Sequence, residues 1–207
     1  MLKVDDYTAG YTDNQFLFRE VSFELEPGQV IGVTGLNGSG KSTFIKGLLN
    51  IVSYKKGKIV LEGDDITHWN PTTIFRKKSI AYLSQRDRVF DHLTVNEHIR
   101  LYRAYSKKSI FSDVEPLLYD LMRSHKNVLA SSLSGGEQLI LALLCVAILN
   151  PDYIFLDEPS DSLDGKYKEL LLRIMSSWKN DKGLLVVEQN TGILETISDF
   201  DLVIDRL

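Results

Sequence analysis

Residues 30–44 read VIGVTGLNGSGKSTF, and this stretch decides the fold. The apolar run at residues 30–33 predicts a short buried strand, and residues 41–51 have the pattern of a helix. Between them, residues 35–42 match G-x-x-x-x-G-K-[ST], with the preceding strand and following helix that this motif requires. The chain is therefore predicted to contain a strand, a glycine-rich turn and a helix that together form an anion site.

The chemistry of this turn favours a polyphosphate. Glycines let the backbone curl so that successive N–H groups point at one anion, and the helix adds its partly positive N-terminus. Lys41 supplies a full charge for the β- and γ-phosphates, and the Ser42 hydroxyl can ligate Mg²⁺. The motif predicts a P-loop NTPase core, but alone it does not separate kinases, GTPases and transport ATPases. The candidate nucleotide contacts are Gly35, Asn37, Gly38, Ser39, Gly40, Lys41, Ser42 and Thr43.

A second candidate site follows another apolar strand. Residues 153–156 are apolar and end in Asp157 and Glu158. Strands of a parallel sheet carry their ligand groups at the carboxyl end, so both carboxylates are expected at the nucleotide. Asp157 is suited to hold Mg²⁺, and Glu158 is suited to act as the general base that polarises the attacking water.

Outside these motifs the pattern is that of an α/β fold with a mostly parallel sheet. Further short strands are predicted at residues 58–62, 80–83 and 184–187, and several are apolar at consecutive positions, as in a sheet covered on both faces. The N-terminal segments at residues 2–4, 17–21 and 23–25 lack intervening helices, which favours an antiparallel β subdomain. Predicted helices at residues 94–105 and 113–123 indicate a small inserted α-helical subdomain.

The composition excludes some classes of function. A net charge of −4 argues against a nucleic-acid binder that relies on phosphate contacts. The single cysteine, Cys145, allows no internal disulfide and is expected in the core. Residues 1–6 lack the apolar core of a signal peptide, and the longest apolar run, residues 139–149, is too short to span a membrane. If the protein acts at a membrane, another chain is expected to supply the span.

Residues 133–138, LSGGEQ, precede the apolar helix and form a possible second anion site. A serine hydroxyl, two glycines and a helix N-terminus present several donors to one acceptor. Ser134 followed by Glu137 is also a capping-box pattern, and the two interpretations are compatible.

With this motif the chain resembles the nucleotide-binding subunits of ABC transporters, whose signature sequence is LSGGEQ. The resemblance implies that Leu133, Ser134, Gly135, Gly136, Glu137 and Gln138 contact the ATP of a partner subunit. It further implies that Tyr11 stacks on adenine and that Gln85 contacts Mg²⁺ and the attacking water. Residues 90–97 are similar to the family's segment after that glutamine. Ser160, Leu163 and Asp164 match the loop that crosses the dimer interface, together with Ser162.

One residue departs from the family pattern. Where the family usually has a histidine near the γ-phosphate, residues 186–190 read VVEQN and the aligned residue is Gln189. The sequence VEQN at residues 187–190 is similar to the corresponding segment of some branched-chain amino-acid importer subunits. A glutamine amide donates a hydrogen bond but carries no titratable charge. We therefore predict intact ATP binding with slower hydrolysis than a histidine version would show.

The resemblance implies an ATPase that uses ATP and Mg²⁺, pairs with a second ATP-binding subunit and serves transmembrane permease subunits. Such a protein is expected in the cytoplasm, peripheral on the inner face of the cell membrane, with no appended regulatory domain. Residues 1–96 and 133–207 would form the RecA-like core with the β subdomain, and residues 97–132 the helical subdomain. A metabolite kinase would leave LSGGEQ unexplained, whereas a non-transport ABC ATPase, an assembly or repair factor, remains the alternative.

Overall fold

The structure is a computed structural model, and it describes residues 1–12, 15–52, 54–86, 88–106, 115–161, 163–189 and 191–204. The side chains of residues 11, 12, 15–19, 54, 55 and 115 are not described. The strands are β1 Leu2–Thr12, β2 Gln15–Leu25, β3 Val30–Thr34, β4 Tyr54–Leu61, β5 Asp64–Asp65, β6 Ile80–Leu83, β7 Tyr153–Asp157, β8 Gly183–Val187 and β9 Phe200–Val203. The helices are α1 Lys41–Leu48, α2 Pro71–Lys77, α3 Val95–Tyr105, α4 Glu115–Met122, α5 Gly135–Leu149, α6 Gly165–Trp178 and α7 Thr191–Ile197.

A five-stranded parallel sheet forms the centre of the molecule. Its order is β6-β7-β8-β3-β9, and every residue of β7 and β8 is buried. Burial on both faces explains why these strands are continuously apolar and do not alternate with polar residues. The predicted parallel α/β sheet is thereby confirmed.

A four-stranded antiparallel sheet contains the N-terminal strands in the order β2-β1-β4-β5. The predicted β subdomain is confirmed, although β1 and β2 are longer than the short runs predicted, and their pairing contains register shifts. The strand predicted at residues 58–62 overlaps β4 and pairs antiparallel with β1, so it is not part of the parallel sheet. Its consecutive apolar residues Ile59, Val60 and Leu61 gave no information about strand direction.

In its described part, the inserted segment contains α3, α4 and two short 3₁₀ helices, Arg123–His125 and Ala130–Ser132. Both α3 and α4 pack against α5. The N–H of Val95 donates to Val128 O at 3.1 Å, and that of Ala130 donates to Leu93 O at 2.9 Å, so the two ends of the segment are tied together. The exact domain limits at residues 97 and 132 stay a prediction.

The core divides into two clusters of buried apolar side chains. One joins α5, α6 and α7 to the parallel sheet, and it includes Cys145. The other lies between the two sheets and includes Phe44 of α1. Among the described residues, no helix has both the length and the apolar character needed to cross a membrane.

Candidate nucleotide site

The carboxyl ends of four parallel strands bring the predicted residues together. The residue pair Val33↔Val187 aligns the end of β3 with that of β8, and Asp157↔Val187 aligns β7 with β8. Leu83↔Leu156 does the same for β6 and β7. The glycine loop, Gln85, the acidic pair and Gln189 therefore follow neighbouring strands at one edge of the sheet, as expected for a ligand crevice.

The glycine loop has a backbone that glycine alone adopts readily. Gly35 has φ 149°, and a Cβ there would clash with the carbonyl oxygen of Ile204. Gly40, at φ 104°, occupies the N-cap of α1, and no side chain caps this helix. The first N–H groups of α1 are therefore not taken up by a capping side chain and can serve an anion.

Lys41 lies inside this loop and is 4% exposed. Its Nζ donates to Gly35 O at 2.9 Å and to Leu36 O at 3.1 Å, and it lies 4.0 Å from Glu158 Oε1. The ammonium group is thus held by the loop and faces the proposed base. Within the described residues, the buried hydroxyl of Ser39 has no hydrogen-bond partner.

Ser42 and Asp157 are joined across the crevice. Ser42 Oγ donates to Asp157 Oδ1 at 2.9 Å, and Tyr82 OH donates to Asp157 Oδ2 at 3.1 Å. Burial raises the pKa of Asp157 above its ordinary value, although both hydrogen bonds oppose this shift. Burial, followed by the charge of Asp157, likewise raises the pKa of Tyr82, which keeps its hydroxyl protonated and donating. A buried carboxylate next to a hydroxyl is an arrangement that a cation would stabilise.

Glu158 is held at both carboxylate oxygens by amide groups. Gln85 Nε2 donates to Glu158 Oε2 at 2.8 Å, and Gln189 Nε2 donates to Glu158 Oε1 at 2.8 Å. Gln85 Nε2 also lies 3.4 Å from Asp161 Oδ2. Glu158, Gln85 and Gln189, the three residues predicted to be catalytic, therefore form one hydrogen-bonded group. The expected position of Gln189 near a γ-phosphate stays a prediction.

Three residues of this site were not singled out from the sequence. Tyr82 donates to Asp157, as described above, and Arg88 Nη2 donates to Glu158 O at 3.0 Å. Glu188, which is 3% exposed, accepts from the N–H of Ser160 at 2.8 Å. Glu188 could have been found from the sequence, because it is a charged residue directly after the buried strand β8. No motif in the sequence points to Arg88.

The signature residues form the start of α5. Ser134 and Glu137 make a complete capping box, in which Ser134 N and Oγ each donate to Glu137 Oε2 at 2.8 Å. His125 Nε2 lies 3.2 Å from Glu137 Oε1. Hydrogen bonding from Ser134, with the nearby His125, lowers the pKa of Glu137 below its ordinary value. Gln138 Nε2 donates to Ala130 O at 3.0 Å and so fixes the loop before the helix.

The signature and the glycine loop are separate in this chain. Ser134 and Gly135 are exposed, and within the described residues no hydrogen bond or ion pair links residues 133–138 to residues 35–42. The structure therefore brings the residues of the crevice together and leaves Ser134 and Gly135 exposed at the start of α5.

The remaining predicted site residues differ in how far they are exposed to solvent. Thr43 is buried in α1, whereas Asn37 and Gly38 are exposed. Ser160 and Leu163 are buried within the chain, and Asp164 is exposed and caps α6 through the N–H of Tyr167. Tyr11 belongs to β1, but its side chain is outside the described part, as is Ser162.

Comparison with known proteins supplies the family. The family model described as ABC transporter matches residues 18–161. The chain belongs to the ABC transporter family. A probable branched-chain amino acid transport ATP-binding protein of Archaeoglobus fulgidus is 33% identical over 205 residues, which is 96% of this chain and 86% of that protein.

Solved structures of ABC transporter proteins share the fold. An ATP-binding subunit of an ABC transporter superposes with a TM-score of 0.85 at 25% identity, over 99% of this chain and 86% of that one. A dimeric bacterial ABC transporter cassette gives a TM-score of 0.80 at 21% identity, over 98% and 94% of the two chains. As an ABC transporter ATP-binding subunit, the protein is an ATPase, and the predicted P-loop NTPase fold is confirmed.

Proposed function

We propose that this ABC ATPase works as a pair of subunits that closes on two Mg²⁺–ATP molecules and drives a transmembrane permease. The observation that carries the proposal is the position of the glycine loop and the signature residues at the starts of two different helices, α1 and α5. Residues 35–42 lie with the acidic pair in the crevice, whereas Ser134 and Gly135 are exposed elsewhere. Two chains related by a two-fold axis can each cover the other's nucleotide, which builds two complete sites.

ATP binding rests on the loop and on α1. The uncapped N-terminus of α1, the left-handed glycines and buried Lys41 combine backbone donors with one full positive charge. This combination suits the β- and γ-phosphates. Tyr11, for its part, is proposed to stack on adenine.

Mg²⁺ fits the residues beside the loop. Ser42 and Asp157 offer a hydroxyl and a carboxylate, and Gln85 offers an amide oxygen. Mg²⁺ prefers such oxygen ligands and takes few of them from protein, since phosphates and water complete its shell. When bound, the ion neutralises charge that develops on the phosphates during transfer. Within the described residues, no cluster of three or more His, Cys, Asp or Glu side chains offers another metal site.

Hydrolysis is assigned to Glu158 as the general base. Its side chain is 9% exposed, and both carboxylate oxygens accept hydrogen bonds. The carboxylate is therefore held in one orientation before the reaction begins. It takes a proton from the attacking water, while Lys41 and the partner's Ser134 and Gly136 stabilise phosphate charge. Loss of the γ-phosphate removes the attraction between subunits, and the pair reopens.

Transport is the use proposed for this cycle. The A. fulgidus relative is named as a transport ATP-binding protein, and no described helix of this chain can cross a membrane. The permease subunits are therefore proposed to bring this chain to the inner face of the cell membrane. Co-purification with a membrane protein from solubilised membranes supports transport, whereas reproducible absence of such a partner favours an assembly or repair factor.

Lys41→Ala tests the nucleotide site directly. The variant should lose tight ATP binding, since it removes the one charge buried in the loop, and titration calorimetry measures this. Lys58→Ala is the matched control, because it removes a lysine from the surface of the antiparallel sheet. Equal ATP affinity in Lys41→Ala and the control would reject the assigned site.

A further inference from the structure

Arg88 links the segment after β6 to the backbone of the proposed base. Its Nη2 donates to Glu158 O at 3.0 Å, and its Nε reaches Ser84 O at 3.4 Å. One planar guanidinium therefore contacts carbonyls from the ends of two neighbouring strands. Ser84 directly precedes Gln85, whose own amide donates to the Glu158 carboxylate.

The backbone of Glu158 needs such support. Its φ is 48°, a left-handed value that non-glycine residues adopt only where surrounding structure enforces it. Its N–H donates to Val187 O at 2.9 Å, so β8 holds one side of the residue. The Arg88 bond holds the carbonyl on the other side. Together these bonds fix the direction in which the Glu158 side chain leaves the backbone.

The charge of Arg88 is compensated by acidic neighbours. Burial lowers the pKa of Arg88, and the nearby charges of Asp161, Glu188 and Asp157 oppose that shift. Glu188 also accepts from Ser160 N, so the same acidic group holds the loop after Glu158. The guanidinium thus lies where the segments that contain Ser84, Glu158 and Glu188 meet.

We propose that Arg88 is a positioning residue for Glu158 and couples the Gln85 segment to the alignment of the base. The inference rests on the proposed function, in which Glu158 acts on the attacking water. Arg88 donates to the main chain of Glu158, whereas the two amides donate to its carboxylate, so Arg88 acts on the base through the backbone of Glu158.

Arg88→Met tests the proposal, with Arg86→Met as the matched control. Arg86 is an exposed arginine in the same segment, so the control removes equal charge without the contacts to Glu158. We expect Arg88→Met to lower kcat by about 10- to 100-fold, the scale of a misplaced catalytic group, while KM for ATP changes less than about threefold. Arg88→Lys keeps the positive charge but cannot contact both carbonyls as the planar guanidinium does, so its kcat should lie between those of the wild type and Arg88→Met.

A double-mutant cycle with Glu158→Gln separates positioning from general stability. If Arg88 acts through Glu158, adding Arg88→Met to Glu158→Gln should not lower the residual single-turnover rate further. An undiminished kcat in Arg88→Met, a change confined to KM, or an equal loss in both backgrounds would each overturn the proposal. If Arg88→Met does not fold, the same cycle is run with Arg88→Lys. A wild-type rate in Glu158→Gln alone would instead reject Glu158 as the base.

Discussion

Glu158 is held in place by two neutral amides, and this arrangement gives Gln189 a definite role. Gln189 Nε2 donates to Glu158 Oε1 at 2.8 Å, opposite the contact from Gln85. A protonated histidine in the same position would donate with a full charge, and charge-assisted hydrogen bonds are about twice as strong as neutral ones. The amide does not itself titrate, so it donates to the proposed base without adding a charge.

Gln189→His is therefore expected to raise kcat by about tenfold, which corresponds to about 1.4 kcal/mol, with little change in ATP affinity. Its rate should also acquire a dependence on pH near the pKa of a histidine, about 6.5. Steady-state ATPase assays between pH 5.5 and 8.5 measure both effects. Gln189→Ala, which removes the donor to Glu158, is the control and should lower kcat. Lower turnover of Gln189→His at saturating ATP would contradict this account.

The roles of single residues were only partly predictable from sequence. The motifs identified Lys41, Asp157 and Glu158 because their chemistry requires fixed spacing after a strand. The bond between Gln189 and Glu158 depends on the register of β7 and β8, which no local pattern encodes. Arg88 reaches Glu158 across 70 residues of sequence, so its contact follows from the fold alone.

At the scale of elements, the two signature glycines at the start of α5 meet different surroundings. A Cβ on Gly135 would meet no atom within 4 Å, whereas a Cβ on Gly136 would overlap the ring of Tyr167. Tyr167 belongs to α6, so Gly136 permits the close approach of the two helices. These neighbouring glycines form a matched pair for testing that packing.

Gly136→Ala should lower the free energy of unfolding by about 1 to 3 kcal/mol, the usual cost of overpacking. Gly135→Ala should leave it unchanged or raise it by up to about 1 kcal/mol, because alanine favours a helix over glycine. Urea unfolding of the isolated chain without nucleotide measures both. If the two variants unfold at the same urea concentration, contact with Tyr167 does not explain the choice of glycine.

The segment before α3 is fixed by a buried neutral histidine. His98 is 1% exposed, its Nε2 accepts from Phe90 N at 2.9 Å, and its Nδ1 donates to Thr94 O at 2.9 Å. Burial lowers the pKa of His98 below its ordinary value of 6.5. The unfolded chain then takes up the proton first. The contribution of His98 to stability is therefore complete above pH 6.5 and declines as the pH falls below that value.

His98→Gln should reduce this pH dependence, since a glutamine oxygen can accept from Phe90 without titrating. We expect the wild type to lose more free energy of unfolding than the variant between pH 7.5 and pH 5.5. Urea unfolding at both values gives the comparison. The same loss in both proteins would show that His98 does not titrate in this range.

Most elements near the motifs were predictable, because buried parallel strands are continuously apolar and helices begin at caps such as Thr94 and Ser134. The lengths of β1 and β2 were not, since their register shifts break the alternation of side chains that marks a long strand. The helix α6 was not predicted, because the segment that ends at its N-cap, Asp164, was interpreted only as a loop at the dimer interface.

For the whole molecule, the central feature is that the two proposed anion sites, the glycine loop and the start of α5, belong to different elements of one chain. The crevice at the sheet edge holds Lys41, Asp157 and Glu158 at buried positions, and Ser134 stands exposed at the start of α5. In the proposed function, a second subunit completes each site and the nucleotide becomes part of the interface.

The most direct test is the mass in solution of the Glu158→Gln variant with saturating Mg²⁺ and ATP, measured by sedimentation equilibrium. The variant should bind ATP without hydrolysing it and sediment at twice the chain mass of 23.5 kDa. With the additional substitution Ser134→Arg it should remain at the mass of a single chain. Glu158→Gln that stays at the single-chain mass while saturated with ATP would contradict the account.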